Sequence, residues 1–330
     1  MTVSFLLRRA IGLVSVLLSM SFAVFCLQTL VPADPARAIA GPSTPLARVD
    51  ELRVELGLND SVIVQYGRFV TRLVHGDLGT SVRTRKPIAD DIRRYLPASL
   101  ELAVAAFILG LTFAVALAVL PLIMRAAGPI QLAFTAAGSL PIFMSALLLA
   151  YVFWFRLGLL PGAGRMSDSN FAGPTGLNVV DAVLGGNVPA IVDALKHIIL
   201  PALALAFPIA VAVGRTLGSS LRDVMQQQYI ATARGKGLRE SSVVFRHAVR
   251  NAAPAALAMV ALQVRLLFGN LLVVELVFAW PGLGLYMVQS LGSADLPAVL
   301  GVTLVLSAFY LAVSLLIEVS QSLIDQRIPI

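Results

Sequence analysis

The chain alternates between long apolar stretches and polar segments. Six stretches approach or exceed the ~20 residues that a helix needs to cross a bilayer. They cover residues 10–31, 98–124, 130–155, 198–217, 252–279 and 298–323. Because lipid cannot hydrogen-bond to the backbone, each is predicted to be a helix. The expected fold is an all-α integral membrane protein with six transmembrane helices. Pro141, Pro208 and Pro254 lie in or beside these stretches, and we expect the helices to accommodate them.

Composition supports this class. Hydrophobic residues make up 58% of the 330 residues and charged residues only 13%, whereas soluble domains carry about 25% charged residues. The formal net charge is +7. In a membrane protein, basic loops follow from the cytoplasmic bias of Lys and Arg, so nucleic acid is not an expected partner.

The positions of the basic residues predict the orientation. Arg8 and Arg9 place the N-terminus in the cytoplasm, and the same rule places Arg125, residues 215–251 and Arg327 on that side. Both termini are therefore predicted to be cytoplasmic, in the cell membrane. The first apolar stretch exceeds the 7–15 residues of a signal-peptide core, which favours an uncleaved first span.

Residues 32–97 predict a small helical domain outside the cytoplasm. Apolar residues at helical spacing predict helices over 46–56, which Gly57 would end, and over 61–74, followed by a turn at 75–79.

The predicted division of the chain has three parts. Residues 1–31 form the cytoplasmic N-terminus and first span, 32–97 the outer domain, and 98–330 the core with its cytoplasmic loop 215–251. A second outer loop, 156–197, is rich in Gly, Asn and Pro and is expected to be irregular.

The cytoplasmic loop has the pattern of a folded segment. Residues 226–234 predict a short helix, and Gly237 is a plausible helix stop because glycine enters the left-handed conformation without strain. Ser241 or Ser242 is expected to cap a second helix through 243–245. This arrangement suggests a docking surface, the alternative being a merely solvated loop.

The sequence lacks the common motifs for nucleotide binding and catalysis. Gly235-Lys236-Gly237 is the nearest string to a phosphate-binding loop, but it lacks the upstream glycine and the hydroxyl residue. The three histidines are assigned to three separate loops, and there is one cysteine. We therefore expect no enzyme activity and no catalytic, cofactor-binding or metal-binding residues in this chain.

Three charged residues within the predicted spans stand out: Arg265, Glu275 and Glu318. Such groups are functional candidates, although each could instead lie at an interface or pair inside the bundle. Glu275 precedes Phe278 and the Pro-Gly-rich run 281–284, which could end the span or form a gate.

Ordered motifs along nearly the whole chain identify a family. In the cytoplasmic loop they are Tyr229, Ile230, Thr232, Ala233, Arg234, Lys236, Gly237, Leu238, His247, Arg250, Asn251 and Pro254. Flanking matches are His197, Leu200, Pro201, Glu275, Phe278, Pro281, Gly282, Leu283, Gly284, Asp295 and Pro297. Outer matches are Pro32, Asp34, Pro35, Gly57, Leu58, Gln65, Tyr66, Gly76, Asp77, Leu78, Gly79, Ser81, Leu96 and Pro97.

With these motifs the chain resembles the permease subunits of binding-protein-dependent ABC importers for dipeptides, oligopeptides and nickel. The outer motifs resemble those of the first-listed permease of the usual pair. The cytoplasmic loop resembles the segment of these permeases that is called the EAA motif. Ala231, Gly235, Gly218 and the pair Asn59-Asp60 depart from the usual pattern.

The resemblance implies a type I importer fold that carries peptides or peptide-like solutes. Its implied partners are a paralogous second permease, two ATPase subunits that bind ATP and Mg, and an extracytoplasmic substrate-binding protein. The implied coupling residues are Tyr229, Ala231, Thr232, Ala233, Arg234, Lys236, Gly237 and Leu238. Gate or pathway candidates are Glu275, Phe278, Pro281, Gly282 and Gly284. Candidates for facing the binding protein are Gly76, Asp77 and Gly79.

Two other classes remain open. A secondary transporter driven by an ion gradient would favour several midplane charges and paired broken helices. A membrane scaffold or insertase would not need the folded cytoplasmic loop.

Overall fold

The computed structural model describes residues 3–30, 35–41, 44–55, 57–123, 128–168 and 171–324. Regular structure in these residues is helical, with one isolated antiparallel bridge between Thr80 and Pro87. Pro32, Asp34, Arg125 and Arg327 lie outside the described residues, as do the side chains of Arg8, Arg9, Pro35 and Glu318.

The helices follow one another in this order: α1 Val3–Leu30, α2 Pro35–Ala40, α3 Leu46–Glu55, α4 Val62–Val74, α5 Ile88–Ile123, α6 Gly128–Ser139, α7 Ile142–Leu149, α8 Asn178–Leu184, α9 Val188–Met225, α10 Gln228–Gly235, α11 Glu240–Ser242, α12 Val249–Val277, α13 Leu283–Gly292 and α14 Leu296–Ile324. Two π-helical segments, Ala150–Arg156 and Val243–Ala248, continue α7 and precede α12.

Within the described residues, four helical segments are long and apolar enough to cross a membrane: Ile88–Leu122, Val188–Met225, Glu240–Val277 and Leu296–Ile317. A bent pair, Gln131–Ser139 with Ile142–Arg156, makes five if it is one span. In α1, the described apolar segment is the shorter Val14–Cys26. The all-helical, multi-pass prediction is confirmed, and the count of six spans stays a prediction.

The third predicted span, 130–155, is a broken helix and not a continuous one. Its two halves are bent by 117° at a break between Ser139 and Ile142. Pro141 has no backbone N–H to donate, and its ring disfavours helical geometry at Leu140. In contrast, Pro208 and Pro254 lie inside α9 and α12, as expected.

Other helices are longer than their apolar stretches. Helix α5 starts at Ile88 and includes Pro97, where a boundary was predicted, and acidic residues in its first turn favour that start. Helix α9 starts at Val188, where the Asn187 side chain accepts a hydrogen bond from the Ala190 N–H at 3.1 Å. The predicted irregular loop 156–197 therefore contains α8 and the beginning of α9.

The chain divides into two compact units. The first comprises Met1–Tyr95 and Tyr286–Leu311, with Ile330. In it, the helices predicted over 46–56 and 61–74 are confirmed as α3 and α4, their extracytoplasmic position stays a prediction, and Gly57 has a φ of +66°. Helix α4 packs on α1, where the Tyr66 hydroxyl lies 2.7 Å from Ser21 Oγ and 2.9 Å from the Leu18 carbonyl oxygen.

The second unit comprises Leu96–Leu285 and Ala312–Pro329. Helix α9 is central to it and packs on α12, α6, α7 and α8. It also approaches α5 closely, since a Cβ at Gly214 would lie 3.1 Å from the Ala114 carbonyl oxygen. Small residues permit such close approach of membrane helices, which compensates for the absence of a hydrophobic drive between them in lipid.

Candidate functional site

The loop 215–251, which the sequence places in the cytoplasm, is folded as predicted. Helix α10 starts after Gln227, two residues later than predicted, and buries Ile230 and Ala233, which lie three residues apart on one face. It packs on the π-helical segment, where Val243 and Val244 are fully buried. The loop is therefore a packed unit and not a merely solvated turn.

Gly237 ends this first part of the loop. Its φ is +76°, and its N–H donates to the Arg234 carbonyl oxygen at 2.9 Å, so the predicted helix stop is confirmed. The predicted serine cap is wrong, because Ser241 and Ser242 lie inside α11 and Arg239 is the N-cap residue. The chain re-enters a helix at Glu240, whose charge suits a helix N-terminus.

An ion pair spans the glycine. Arg234 donates to Glu240 from Nε at 3.1 Å and from Nη2 at 2.5 Å. These hydrogen bonds raise the pKa of Arg234 above its ordinary value. Both side chains are nearly half exposed, which limits the contribution of the pair to stability to about 0–1 kcal/mol. Arg234 is thus engaged inside the loop.

The other predicted coupling residues divide by exposure. Ala233 faces inward, whereas Ala231, Thr232 and Lys236 are exposed. Three large apolar side chains are also exposed on the loop: Tyr229 at 43%, Leu238 at 41% and Phe245 at 56%. Phe245 was not among the predicted residues. Exposed apolar side chains on a folded loop are candidates for contact with another protein.

Glu275 is the centre of a second cluster, at the other end of α12. It is fully buried, and its Oε1 accepts a hydrogen bond from Ser99 Oγ at 2.5 Å. Its Oε2 accepts from the Gly284 and Leu285 backbone N–H groups at 2.7 and 3.1 Å. The carboxylate therefore satisfies free N–H groups in the first turn of α13.

The Pro-Gly-rich segment after α12 is a packed corner. Phe278 and Trp280 are 1% exposed, and Trp280 Nε1 donates to the Ala98 carbonyl oxygen at 2.9 Å. A Cβ at Gly282 would overlap the Glu275 carboxylate, and one at Gly284 would lie 2.7 Å from the Leu272 Cα. The structure brings these predicted residues together, next to Pro281, and their role as a gate stays a prediction.

The predicted surface for a binding protein is a tight turn after α4. Gly76 and Gly79 have φ values of +79° and +87°. Asp77 Oδ1 accepts a hydrogen bond from the Gly79 N–H at 2.8 Å, closing an Asx turn. Gly76 and Asp77 are exposed and Gly79 is partly exposed, so the turn is accessible.

A buried hydrogen-bond network in the same unit was not predicted as a site. Asp295, fully buried, accepts from Ser81 Oγ at 2.5 Å and from the Arg83 N–H at 3.1 Å. Asp91 accepts from Thr84 Oγ1 at 2.5 Å and from the Tyr286 hydroxyl at 2.9 Å.

This network holds the segment 80–87 against the beginnings of α5, α13 and α14. Burial, and after it the Asp91 carboxylate, raise the pKa of Tyr286 above its ordinary value, despite an opposing hydrogen bond with Ser81. The signal that would have found it is the order Asp295-Leu-Pro297, in which an N-cap aspartate precedes a proline in the first turn of a helix.

The prediction that the three histidines lie in three loops is correct for His75 and wrong for His197 and His247. His75 is the C-cap residue of α4, His197 is buried inside α9, and His247 lies in the second π-helical segment. His197 Nδ1 is 2.8 Å from the Asp193 carbonyl oxygen. In the part of the chain that the structure describes, no group of three or more His, Cys, Asp or Glu residues could hold a metal ion.

Comparison with known proteins identifies relatives over nearly the full length. Residues 130–329 match the model of the family described as binding-protein-dependent transport system inner membrane component. Residues 2–103 match the model of the N-terminal region of such membrane components.

Individual relatives agree with these matches. The probable D,D-dipeptide transport system permease protein of Escherichia coli (strain K12) is 36% identical, over 98% of this chain and 97% of that protein. The dipeptide transport system permease protein of Alkalihalophilus pseudofirmus is 33% identical, over 98% and 99%. The glutathione transport system permease protein of Salmonella paratyphi A is also 33% identical, over 98% of each chain.

Proposed function

The chain belongs to the family of binding-protein-dependent transport system inner membrane components, and we propose that it imports peptides or peptide-like solutes as one of two permeases around a shared path. It is a permease subunit of an ABC importer, and this function is favoured over an ion-gradient-driven transporter. The named cargoes of its relatives, dipeptides and glutathione, support the proposed cargo class.

The observation that carries the coupling role is the packed cytoplasmic loop. Tyr229, Leu238 and Phe245 are exposed on the surface of the loop, as is Lys236, while Ile230 and Ala233 fix α10 to the π-helical segment ahead of α12. A load on that surface is transmitted to a membrane helix through buried contacts. We propose that each of two ATPase subunits, which supply the ATP and Mg sites, moves one such loop when it closes on nucleotide.

The topology belongs to the same proposal. Helix α1 completes six spans, with both termini in the cytoplasm of the cell that carries the protein in its cytoplasmic membrane. The turn at Gly76, Asp77 and Gly79 then lies outside, where a substrate-binding protein delivers its cargo. Glu275 and the corner at 278–284 hold the outer end of α12 firmly, which supports a fixed pivot at the predicted gate.

One face of α12 is proposed to line the path. Arg265 is exposed near the middle of this helix and, among the described residues, has no hydrogen-bond or ion-pair partner. The exposed residues along the same face are Ala255, Ala258, Leu262 and Gly269. An arginine at the centre of a span costs about 2.5–3.5 kcal/mol against lipid, which favours a wet environment for this face.

The first experiment tests the assembly. We expect the chain to co-purify in mild detergent with a second permease and two ATPases, and the complex in proteoliposomes to take up labelled di- and tripeptides only with ATP and a binding protein. Uptake by this chain alone, or uptake driven by an ion gradient without ATP, would contradict the proposal.

The second experiment tests the path. With Cys26 replaced by serine, we expect Arg265→Cys to react with a membrane-impermeant, water-soluble thiol reagent in the assembled complex. The matched control is Leu132→Cys, since Leu132 is 72% exposed on the apolar helix α6. Equal labelling of the two cysteines would remove the argument for a wet α12 face.

A further inference from the structure

A cleft of about 430 Å³ lies between α5, α6 and α9. It is separate from the loop residues Tyr229, Leu238 and Phe245 and from the corner at 278–284. Its polar lining consists of Gln131, Thr135, Arg215, Ser219 and Arg222. Arg215 and Arg222 are seven residues apart on α9, two helical turns, so both guanidinium groups project from one face.

Neither cation of the cleft is neutralised by the described part of the chain. Arg215 and Arg222 are exposed and have no hydrogen-bond or ion-pair partner among the described residues. Gly218 lies between them on α9, where a Cβ would be 3.6 Å from the Ala118 Cα of α5 and 3.8 Å from an Nη atom of Arg222. Two unpaired guanidinium groups on one face of a helix, lining one cleft, form a binding geometry for an anion with several oxygen atoms.

The lining changes in polarity along α9. Val211 and Leu117 supply apolar walls at one end, and Arg222 lies at the other, about 16 Å from Val211 along the helix. Arg215 lies near the inner end of the apolar stretch 198–217. The cleft is therefore amphiphilic, with its cationic part towards the cytoplasmic surface in the proposed orientation, on which this inference rests.

From this geometry we propose that the cleft binds the phosphate headgroup of an anionic phospholipid from the inner leaflet. The two arginines bind the phosphate oxygens, Gln131 and Ser219 contact the glycerol region, and an acyl chain begins at Val211 and Leu117. Basic clefts between membrane helices on the cytoplasmic side have the charge and depth for such headgroups. The bound lipid packs against the last part of α9, the helix that leads into α10.

The test measures lipid retained by the purified, complete complex. The complex is incubated with radiolabelled phosphatidylglycerol or phosphatidylcholine and washed in detergent, and the bound radioactivity is counted. We expect a selective excess of phosphatidylglycerol whose affinity falls about fivefold in Arg215→Gln or Arg222→Gln and about 30-fold in the double variant. The control Arg250→Gln removes an exposed charge outside the cleft and is expected to stay within twofold.

Each alternative occupant has its own result. Equal retention of the two lipids, or unchanged retention in the double variant at an unchanged unfolding temperature, would overturn the proposal. So would displacement of the lipid by millimolar inorganic phosphate, which would assign the cleft to a soluble anion, or by a dipeptide, which would assign it to cargo. Because lipid binding is measured without transport, the result can be interpreted even if the proposed import function is wrong.

Discussion

Replacing Gly237 with valine tests whether the cytoplasmic loop needs the left-handed backbone conformation at this residue, without introducing a steric clash. No heavy atom lies within 4 Å of a Cβ built at this position, so a side chain meets no steric obstacle. The φ of +76° is the remaining cost. An L-residue in the left-handed region loses about 1–2 kcal/mol, and a β-branched one is a particularly poor fit. That cost corresponds to about a 5–30-fold loss of the native loop conformation.

Gly235 provides the matched control. It lies two residues earlier in α10, and a Cβ there also meets nothing within 4 Å, but it does not have a positive φ. Valine is a slightly better helix former than glycine, so Gly235→Val is expected to leave the loop intact. Gly237→Asn is expected to retain most activity, because asparagine tolerates the left-handed region.

The assay is ATP hydrolysis by the reconstituted complex, stimulated by its binding protein. We expect Gly237→Val to reduce the stimulated rate severalfold, up to about 30-fold, with Gly235→Val near the parent rate. Equal rates for the two valine variants would refute the reasoning, because they differ in backbone conformation alone. A fully active Gly237→Val would have the same consequence.

Three further predictions concern the other clusters. Glu275→Ala leaves a serine hydroxyl and two backbone amides without their acceptor, which costs about 1–3 kcal/mol for each group. The unfolding temperature in detergent should therefore fall clearly, and that of Glu275→Gln should lie between those of the parent protein and Glu275→Ala. Asp295→Ala releases the segment 80–87, which should then be cut faster by protease, and an unchanged cleavage rate would show that the network is not its support. Exchanging the charges as Arg234→Glu with Glu240→Arg should restore the ATPase rate lost in either single variant, whereas failure to rescue would indicate that Arg234 contacts the ATPase directly.

Apolar periodicity predicted where helices lie but not where they begin. Hydropathy reports which residues lipid would accept, whereas a helix continues as long as the backbone can bond to the next turn. Helices α5 and α9 therefore extend through polar residues such as Asp91 and Asp193. The break at Pro141 was not predicted, because a proline in an apolar stretch can either break a helix or be accommodated in it, as Pro208 and Pro254 are. The local sequence does not distinguish the two cases.

The backbone conformation of the candidate site could be predicted from its sequence, but its contacts between residues far apart in the chain could not. Gly237 was identified from the properties of glycine alone. The hydrogen bonds between Ser99 and Glu275 and between Ser81 and Asp295 join residues 176 and 214 positions apart, and no local pattern specifies such pairs. The exposure of Phe245 likewise depends on how the π-helical segment turns, which the sequence does not display.

The π-helical segment Val243–Ala248 sets the rotational phase between the coupling loop and α12. A π turn is an α-helix with one residue inserted, and a residue corresponds to about 100° of rotation and 1.5 Å of rise. Deleting one residue there would restore α geometry while turning the whole loop by about a quarter of a circle relative to the bilayer. Under the proposed function, a single additional residue thus sets the angle about the α12 axis at which the loop would meet an ATPase subunit.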